Sequence, residues 1–182
     1  MDAIEMIKDR RSVRRYADEK VSRELLGEIV EISRWAPSWV NSQIVRYTIV
    51  DDQNMVNQIA ATAVRGFSYN TKTLSRCKGL MVLSYVTGIS GKKEEMDTEF
   101  ENTNVWEMFD AGIATQTFCL AAHAKGVGTC IMGVVNQEEV AKIISLPEGE
   151  KVAAVITYGF EAGDHPVPVP RKEVEKILRV AE

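Results

Sequence analysis

Trp106-Glu107-Met108-Phe109-Asp110-Ala111-Gly112-Ile113-Ala114-Thr115-Gln116-Thr117-Phe118-Cys119-Leu120-Ala121-Ala122-His123-Ala124-Lys125 reads as one long helix. It is rich in Ala, Gly and Thr, and it closes at Gly126, the residue type best suited to a left-handed C-cap. Trp106, Phe109, Ile113 and Leu120 fall on one face at helical spacing. Met108, Ala111, Phe118 and Ala122 fall near another. A helix that is apolar most of the way round must be covered most of the way round. In a chain of 182 residues, a second subunit is the expected cover.

The flanking segments place this helix among strands. Downstream, Thr129–Val135 reads as a strand, and Asn136-Gln137-Glu138-Glu139 has the form of a capping box opening a helix. Lys151–Phe160 is a further strand. Pro166, Pro168 and Pro170 keep the chain extended, and residues 171–181 are expected to form a closing helix. Upstream, residues 2–9 form a short helix carrying Ile4 and Ile7. A stronger helix opens at Val21-Ser22 with Leu25, Leu26, Ile29, Val30 and Ser33 on one side, and stops near Ala36-Pro37. Val45–Asp51 alternates as a strand does. Asp52 to about Arg65 reads as a helix capped by Asp51 or Asp52, and Gly79–Thr87 as a buried strand. Residues 88–105 are polar and punctuated by glycine, hence a loop or excursion. Helices and strands mix without a clean βαβ alternation, so the expected class is α+β, with one sheet surrounded by helices in a single domain spanning 1–182.

Composition narrows the function. With 45% hydrophobic and 26% charged residues the chain can form a real core. The 22 basic and 26 acidic residues leave a net charge of −4, which argues against nucleic acid as a partner. No apolar run approaches the roughly 20 residues a membrane span needs, and the N-terminus has no apolar signal core. The three cysteines, Cys77, Cys119 and Cys130, show no CxxC spacing, so a reduced, cytoplasmic setting is expected.

Four segments carry candidate chemistry. Arg10-Arg11-Ser12-Val13-Arg14-Arg15-Tyr16 offers planar forks that match phosphate oxygens, or else a solvated basic turn. Pro37-Ser38-Trp39-Val40-Asn41-Ser42-Gln43 offers uncharged amides and hydroxyls suited to the pyrimidine edge of a flavin, or else a turn that satisfies its own backbone. Gly126-Val127-Gly128-Thr129-Cys130-Ile131-Met132-Gly133 is neither a GxGxxG fingerprint, since Ile131 stands where glycine is needed, nor a Walker A loop, since Val134 stands where lysine is needed. Its glycines end one helix and let backbone N–H groups approach a ligand. Val169-Pro170-Arg171-Lys172 places arginine at the start of the expected last helix, where an anion is favoured. His123 and His165 read as packed or surface histidines, Cys119 as core, and Glu94-Glu95, Asp97 and Glu99 as a solvated face; no metal site is expected.

In this order the segments resemble the nitroreductase family of FMN-dependent oxidoreductases. The likeness is carried by Arg10 through Arg14, by Ala36-Pro37-Ser38 with Asn41 and Gln43, by Asp110-Ala111-Gly112-Ile113-Ala114 with Ala121-Ala122-His123 leading into Gly126 through Cys130, and by Pro170-Arg171-Lys172. It spans nearly the whole chain. It implies a mostly antiparallel central sheet and an intertwined homodimer with FMN at the subunit interface. Arg10, Arg11, Ser12, Arg14 and Arg171 would hold the phosphate and ribityl end. Pro37, Ser38, Trp39 and Asn41 would come from the other subunit onto the ring, with Gln43 supporting their loop. Cys130, Ile131, Met132 and Gly133 would line the flavin, and Asn70 matches a position that reaches it. NADH or NADPH would reduce flavin N5, and a nitroaromatic, a quinone or a similar small molecule would take the electrons, so no side chain is assigned as catalytic. The same flavin could serve enone reduction, reductive dehalogenation or flavin reduction, or a binding module without turnover. The sequence departs from the family at Ile44-Val45, where many members carry Pro-Trp after Gln, and at Trp39, where many carry a small residue. The excursion 88–105 would lie near the active site.

Overall fold

The computed structural model of the chain describes residues 2–64, 68–92 and 103–181. Four strands make one sheet: β1 (Val45–Val50), β2 (Gly79–Val86), β3 (Gly128–Met132) and β4 (Glu150–Gly159), ordered β1-β2-β4-β3. Every neighbouring pair is antiparallel, as an α+β class implies. The helices are α1 (Ala3–Asp9), α2 (Arg23–Ser33), α3 (Gln53–Thr62), α4 (Ser68–Leu74), α5 (Thr103–Ala124) and α6 (Gln137–Ile143).

Strand β2 explains the layering. Leu80 and Val82 point to one face, and Met81 and Leu83 to the other; all four are fully buried. A strand apolar on both faces requires helices on both sides of its sheet. On the first face Val56 and Ile59 of α3, Leu74 of α4 and Val140 of α6 supply the cover. On the second, Leu26 and Ile29 of α2 pack with Ala114, Phe118, Cys119, Ala121 and Ala122 of α5. Ser22, Asp52 and Asn136 start their helices by accepting from Leu25 N, Met55 N and Glu139 N.

The segment between α1 and α2 is held across the ends of β3 and β4. Val13 N donates to Thr129 O at 2.9 Å, and the Tyr16 hydroxyl, 2.6 Å from Val13 O, also lies 2.7 Å from Thr157 Oγ1. Gly128 makes the approach possible, because a Cβ there would lie 2.8 Å from Val13 Cβ. Strand β4 carries one irregularity. Leu83 faces Ala154 and Ser84 faces Val152, so Ala153 is an extra residue.

Several boundaries differ from expectation. Strand β3 ends at Met132 rather than Val135, because the next β4 carbonyl, that of Ala153, accepts from Gln137 Nε2 instead. Helix α5 starts at Thr103, inside the expected excursion, whose residues 93–102 lie outside the described residues together with Glu94, Glu95, Asp97 and Glu99. Helix α2 ends at Ser33, and α3 at Thr62, with the unforeseen α4 following. The closing helix is absent. Residues 171–181 hold only a 3₁₀ turn at Val174–Lys176, and Ile177, Leu178 and Val180 stand exposed. An 11-residue helix is marginal in water unless its apolar face is packed, and within this chain it finds no surface.

Candidate functional site

Arg10 and Arg11 leave α1 on a backbone that Val13 and Tyr16 fix to the sheet. Arg11 Nη1 donates to Lys8 O at 2.6 Å and to Arg10 O at 3.0 Å; Arg14 Nη1 donates to Ser12 O at 3.2 Å. The Nε atoms of both Arg10 and Arg11 are buried and, among the described residues, have no hydrogen-bond partner. Buried guanidinium donors are costly to leave unpaired. Ser12 sits beside them, with its hydroxyl at the Cys130 thiol. Burial raises the pKa of that thiol, with nearby Arg14 opposing, so Cys130 stays protonated at neutral pH and is no ready nucleophile.

Along β3, side chains alternate. Cys130 and Met132 point into the core with Val140, while Ile131 is 45% exposed on the opposite face. There it lines a groove with Met108, Gly112, Thr115, Ala153 and Ala154. Of the expected flavin-lining stretch, Ile131 thus offers its side chain, while Cys130 and Met132 are turned away and can offer only backbone. Asn70 reaches the same end of β3, its Nδ2 donating to Val134 O at 3.1 Å.

The loop 37–43 is built differently. Trp39–Asn41 form a 3₁₀ turn, and Val40, Asn41 and Gln43 all have left-handed backbone, at φ 46°, 54° and 48°. Such a conformation costs about 1–3 kcal/mol for a non-glycine residue, most clearly for β-branched Val40. Ser38 Oγ accepts from Gln43 N at 3.0 Å, which closes the loop on itself. Beneath it lies Asp110 of α5, fully buried, accepting from Trp39 N at 2.9 Å and Ser42 Oγ at 3.2 Å. Nothing in the sequence gave Asp110 a role of its own. The signal was present in its setting, an acid on a nearly all-apolar helix face.

The structure brings Arg10, Arg11 and Ser12 to β3, but not to the 37–43 loop. Asp110 lies under the loop and His123 beside the arginine segment, thirteen residues and about 20 Å of helix apart. Arg171 lies on the exposed tail, with Nη1 donating to Val169 O. The two histidines meet beyond the arginines. His123 Nε2 is 3.2 Å from Asp9 Oδ2, and His165 donates to Glu161 Oε2 and to Asp9 O. Its hydrogen bond to Glu161, then that to Asp9, raises the His165 pKa. Both ring nitrogens face acceptors, which favours the imidazolium. Among the described residues no helix is long and apolar enough to cross a membrane, and no group of three or more His, Cys, Asp or Glu is arranged to hold a metal ion.

Comparison with known proteins agrees with this arrangement of segments. The FMN reductase [NAD(P)H] of Bacillus subtilis is 30% identical over 157 residues, covering 81% of this chain; the match spans 61% of that protein's length. The iodotyrosine deiodinase of Thermotoga neapolitana is 25% identical over 191 residues, covering 93% of this chain and 94% of that protein. A crystal structure of a nitroreductase-like protein from Desulfovibrio desulfuricans in complex with FMN superposes with a TM-score of 0.76 at 27% identity, covering 98% of this chain and 96% of that one. The sequence profile of the nitroreductase family matches residues 7–160, which include the arginine segment, the 37–43 loop, α5 and the whole sheet. With most of its length matched and its strands and helices in that family's arrangement, the chain belongs to the nitroreductase family.

Proposed function

We propose that the protein is an FMN-dependent oxidoreductase that takes reducing equivalents from NADH or NADPH and delivers them to a small-molecule acceptor, such as a nitroaromatic or a quinone. The observation that carries this reading is the pair of buried, unpartnered Nε donors on Arg10 and Arg11, fixed beside Ser12 on the end of the sheet. A phosphate monoester satisfies such donors two oxygens at a time.

In this reading Arg10, Arg11, Ser12 and Arg14 bind the phosphate and ribityl end, and Arg171 joins them once the tail is docked. Pro37, Ser38, Trp39 and Asn41 bind the ring from a second subunit, since the loop and the arginine segment lie too far apart along α5 to serve one flavin within one chain. Ile131 offers an apolar side to the ring, and the backbone of Cys130 through Gly133 offers N–H groups toward its central edge. Asn70 holds the end of that strand and stands ready to reach the ring. Bound FMN supplies hydride transfer at N5. The chain's residues bind, orient and exclude water, and none acts as nucleophile or general base. The homodimer finds support in the apolar surface of α5, where Val105, Met108 and Phe109 stand exposed beside Ile131. Three free, buried cysteines accord with a cytoplasmic setting.

The visible spectrum of the purified protein, followed anaerobically as NADH or NADPH is added, tests this. The expected result is a flavin spectrum that bleaches and returns repeatedly on addition of a nitroaromatic or quinone. A flavin that never bleaches points to another electron donor or to a binding role without turnover. A colourless protein that takes up no FMN overturns the cofactor assignment.

A further inference from the structure

We propose that Asp110 is the positioning residue that joins two loops into one unit: the 37–43 loop and the turn that follows β2. The inference rests on the reading that residues 37–41 face the flavin, and it adds a control over that face that no residue of the site itself supplies.

The strained 37–43 loop needs an outside restraint. Three of its residues hold left-handed backbone without being glycine. Its hydrogen bonds from Asn41 N to Ser38 O, Ser42 N to Trp39 O and Gln43 N to Ser38 Oγ are all internal. A loop closed only on itself moves as a body. Among the described residues two side chains tie it to the frame by hydrogen bonds: Arg46, whose Nη1 donates to Gln43 O at 2.9 Å from an exposed position, and Asp110, through its buried carboxylate. Strained conformations persist only where their surroundings over-determine them.

The same carboxylate serves a second loop. Ser90, also fully buried, donates from Oγ to Asp110 Oδ2 at 2.6 Å. One turn earlier on α5, buried Glu107 accepts from Gly88 N. Oδ2 of Asp110 is therefore shared between Ser42 of one loop and Ser90 of the other. A carboxylate has room for such a fork, and its charge strengthens each bond it accepts. Moving either loop alone breaks a bond at a buried charged group, so the two are favoured in place together. A change in the turn after β2 should thus be felt at the loop that meets the ring, through Asp110.

Amide hydrogen exchange on the FMN-loaded protein tests the coupling, with the visible circular dichroism of the flavin as the second readout. Ser90→Ala alters the turn but touches no residue of the loop. It should nevertheless speed exchange of the 37–43 amides. Asp110→Ala should speed both loops by about tenfold or more, since buried donors lose their acceptor. Asp110→Asn, which keeps an acceptor for Trp39 N while the hydroxyls turn to accept from its amide, should restore most of the protection. Ser90→Ala leaving the 37–43 amides unchanged overturns the coupling, and so does Asp110→Ala loosening only one loop. If both loops loosen together while the flavin dichroism stays that of the parent protein, the coupling stands and the placement of residues 37–41 on the ring fails.

Discussion

Phe109 and Phe118 lie on one helix, nine residues apart, and meet opposite fates. Phe118 is fully buried between α5, α2 and the sheet, tilted against Tyr47 at 6.0 Å between ring centroids. Phe109 is 57% exposed, with Trp106 edge-on beside it. Propensity and hydropathy do not separate them. What separates them is whether this chain supplies a partner. The C-terminal half of α5 rests on the chain's own sheet; among the described residues Val105, Met108 and Phe109 of its N-terminal half, Ile131 and the apolar tail stand exposed. The same division holds for polar groups: the buried carboxylates of Glu107 and Asp110 find donors inside the chain, while Arg10 Nε and Arg11 Nε find no acceptor among the described residues. Covered parts determine the fold, and uncovered parts specify what the fold must meet.

Mutations can break or sharpen this contrast. Phe118→Ala should cost about 3–5 kcal/mol of folding stability, because the surrounding core cannot collapse into the space. Denaturant unfolding measures it, and a loss under 1 kcal/mol would erase the distinction between the two phenylalanines. Phe109→Asp should leave the secondary structure intact by far-UV circular dichroism yet weaken self-association by about 3 kcal/mol, roughly a hundredfold, as two copies lose their buried rings. Sedimentation reads this directly, and an unchanged association constant would remove the N-terminal half of α5 from any interface. If Arg14 binds the phosphate as proposed, Arg14→Ala removes one charge-assisted contact and should weaken FMN retention by about 1.5–3 kcal/mol with folding unaffected. Equal FMN affinity in both proteins would leave the arginine segment without its phosphate.

The smallest effect concerns the tail, where His165 bridges Glu161 and Asp9. Its pKa is raised in the folded chain, so the stabilisation is complete below the unfolded value of about 6.5 and is lost as pH rises through the folded value. The group is partly exposed, so solvent screens the pair. Stability measured from pH 5.5 to 8.5 should therefore fall slightly with pH from this contact. His165→Gln should flatten that component, and an unaltered slope would show that the tail contact carries no linkage.

The same contrast explains what could be read from residues alone. The apolar run of β2, the caps at Ser22, Asp52 and Asn136, and the stop at Gly126 are local signals, and the elements they predict are present. The composition of 171–181 permits a helix, but none forms because nothing among the described residues packs it. Strand β3 is shorter than its apolar run, because its end depends on a side chain of α6 taking the Ala153 carbonyl. The arginine segment was visible as charge, but its orphaned donors emerge only when Val13 is seated on Gly128. Asp110 was visible only as a letter in a motif, since no periodicity reveals which loop will bring it an N–H.

The extra residue in β4 has a consequence of its own. Because Ala153 interrupts the two-residue alternation, it and Ala154 line the same groove, although neighbours in a regular strand face opposite sides. The groove floor is therefore set by chain length as well as by side-chain identity. Deleting one residue at 153 would let the ladder close up and take a methyl group from the floor, whereas substitution there, Ala153→Gly excepted, only adds bulk. The groove can be deepened by shortening β4, a route of variation that leaves the core beneath it intact.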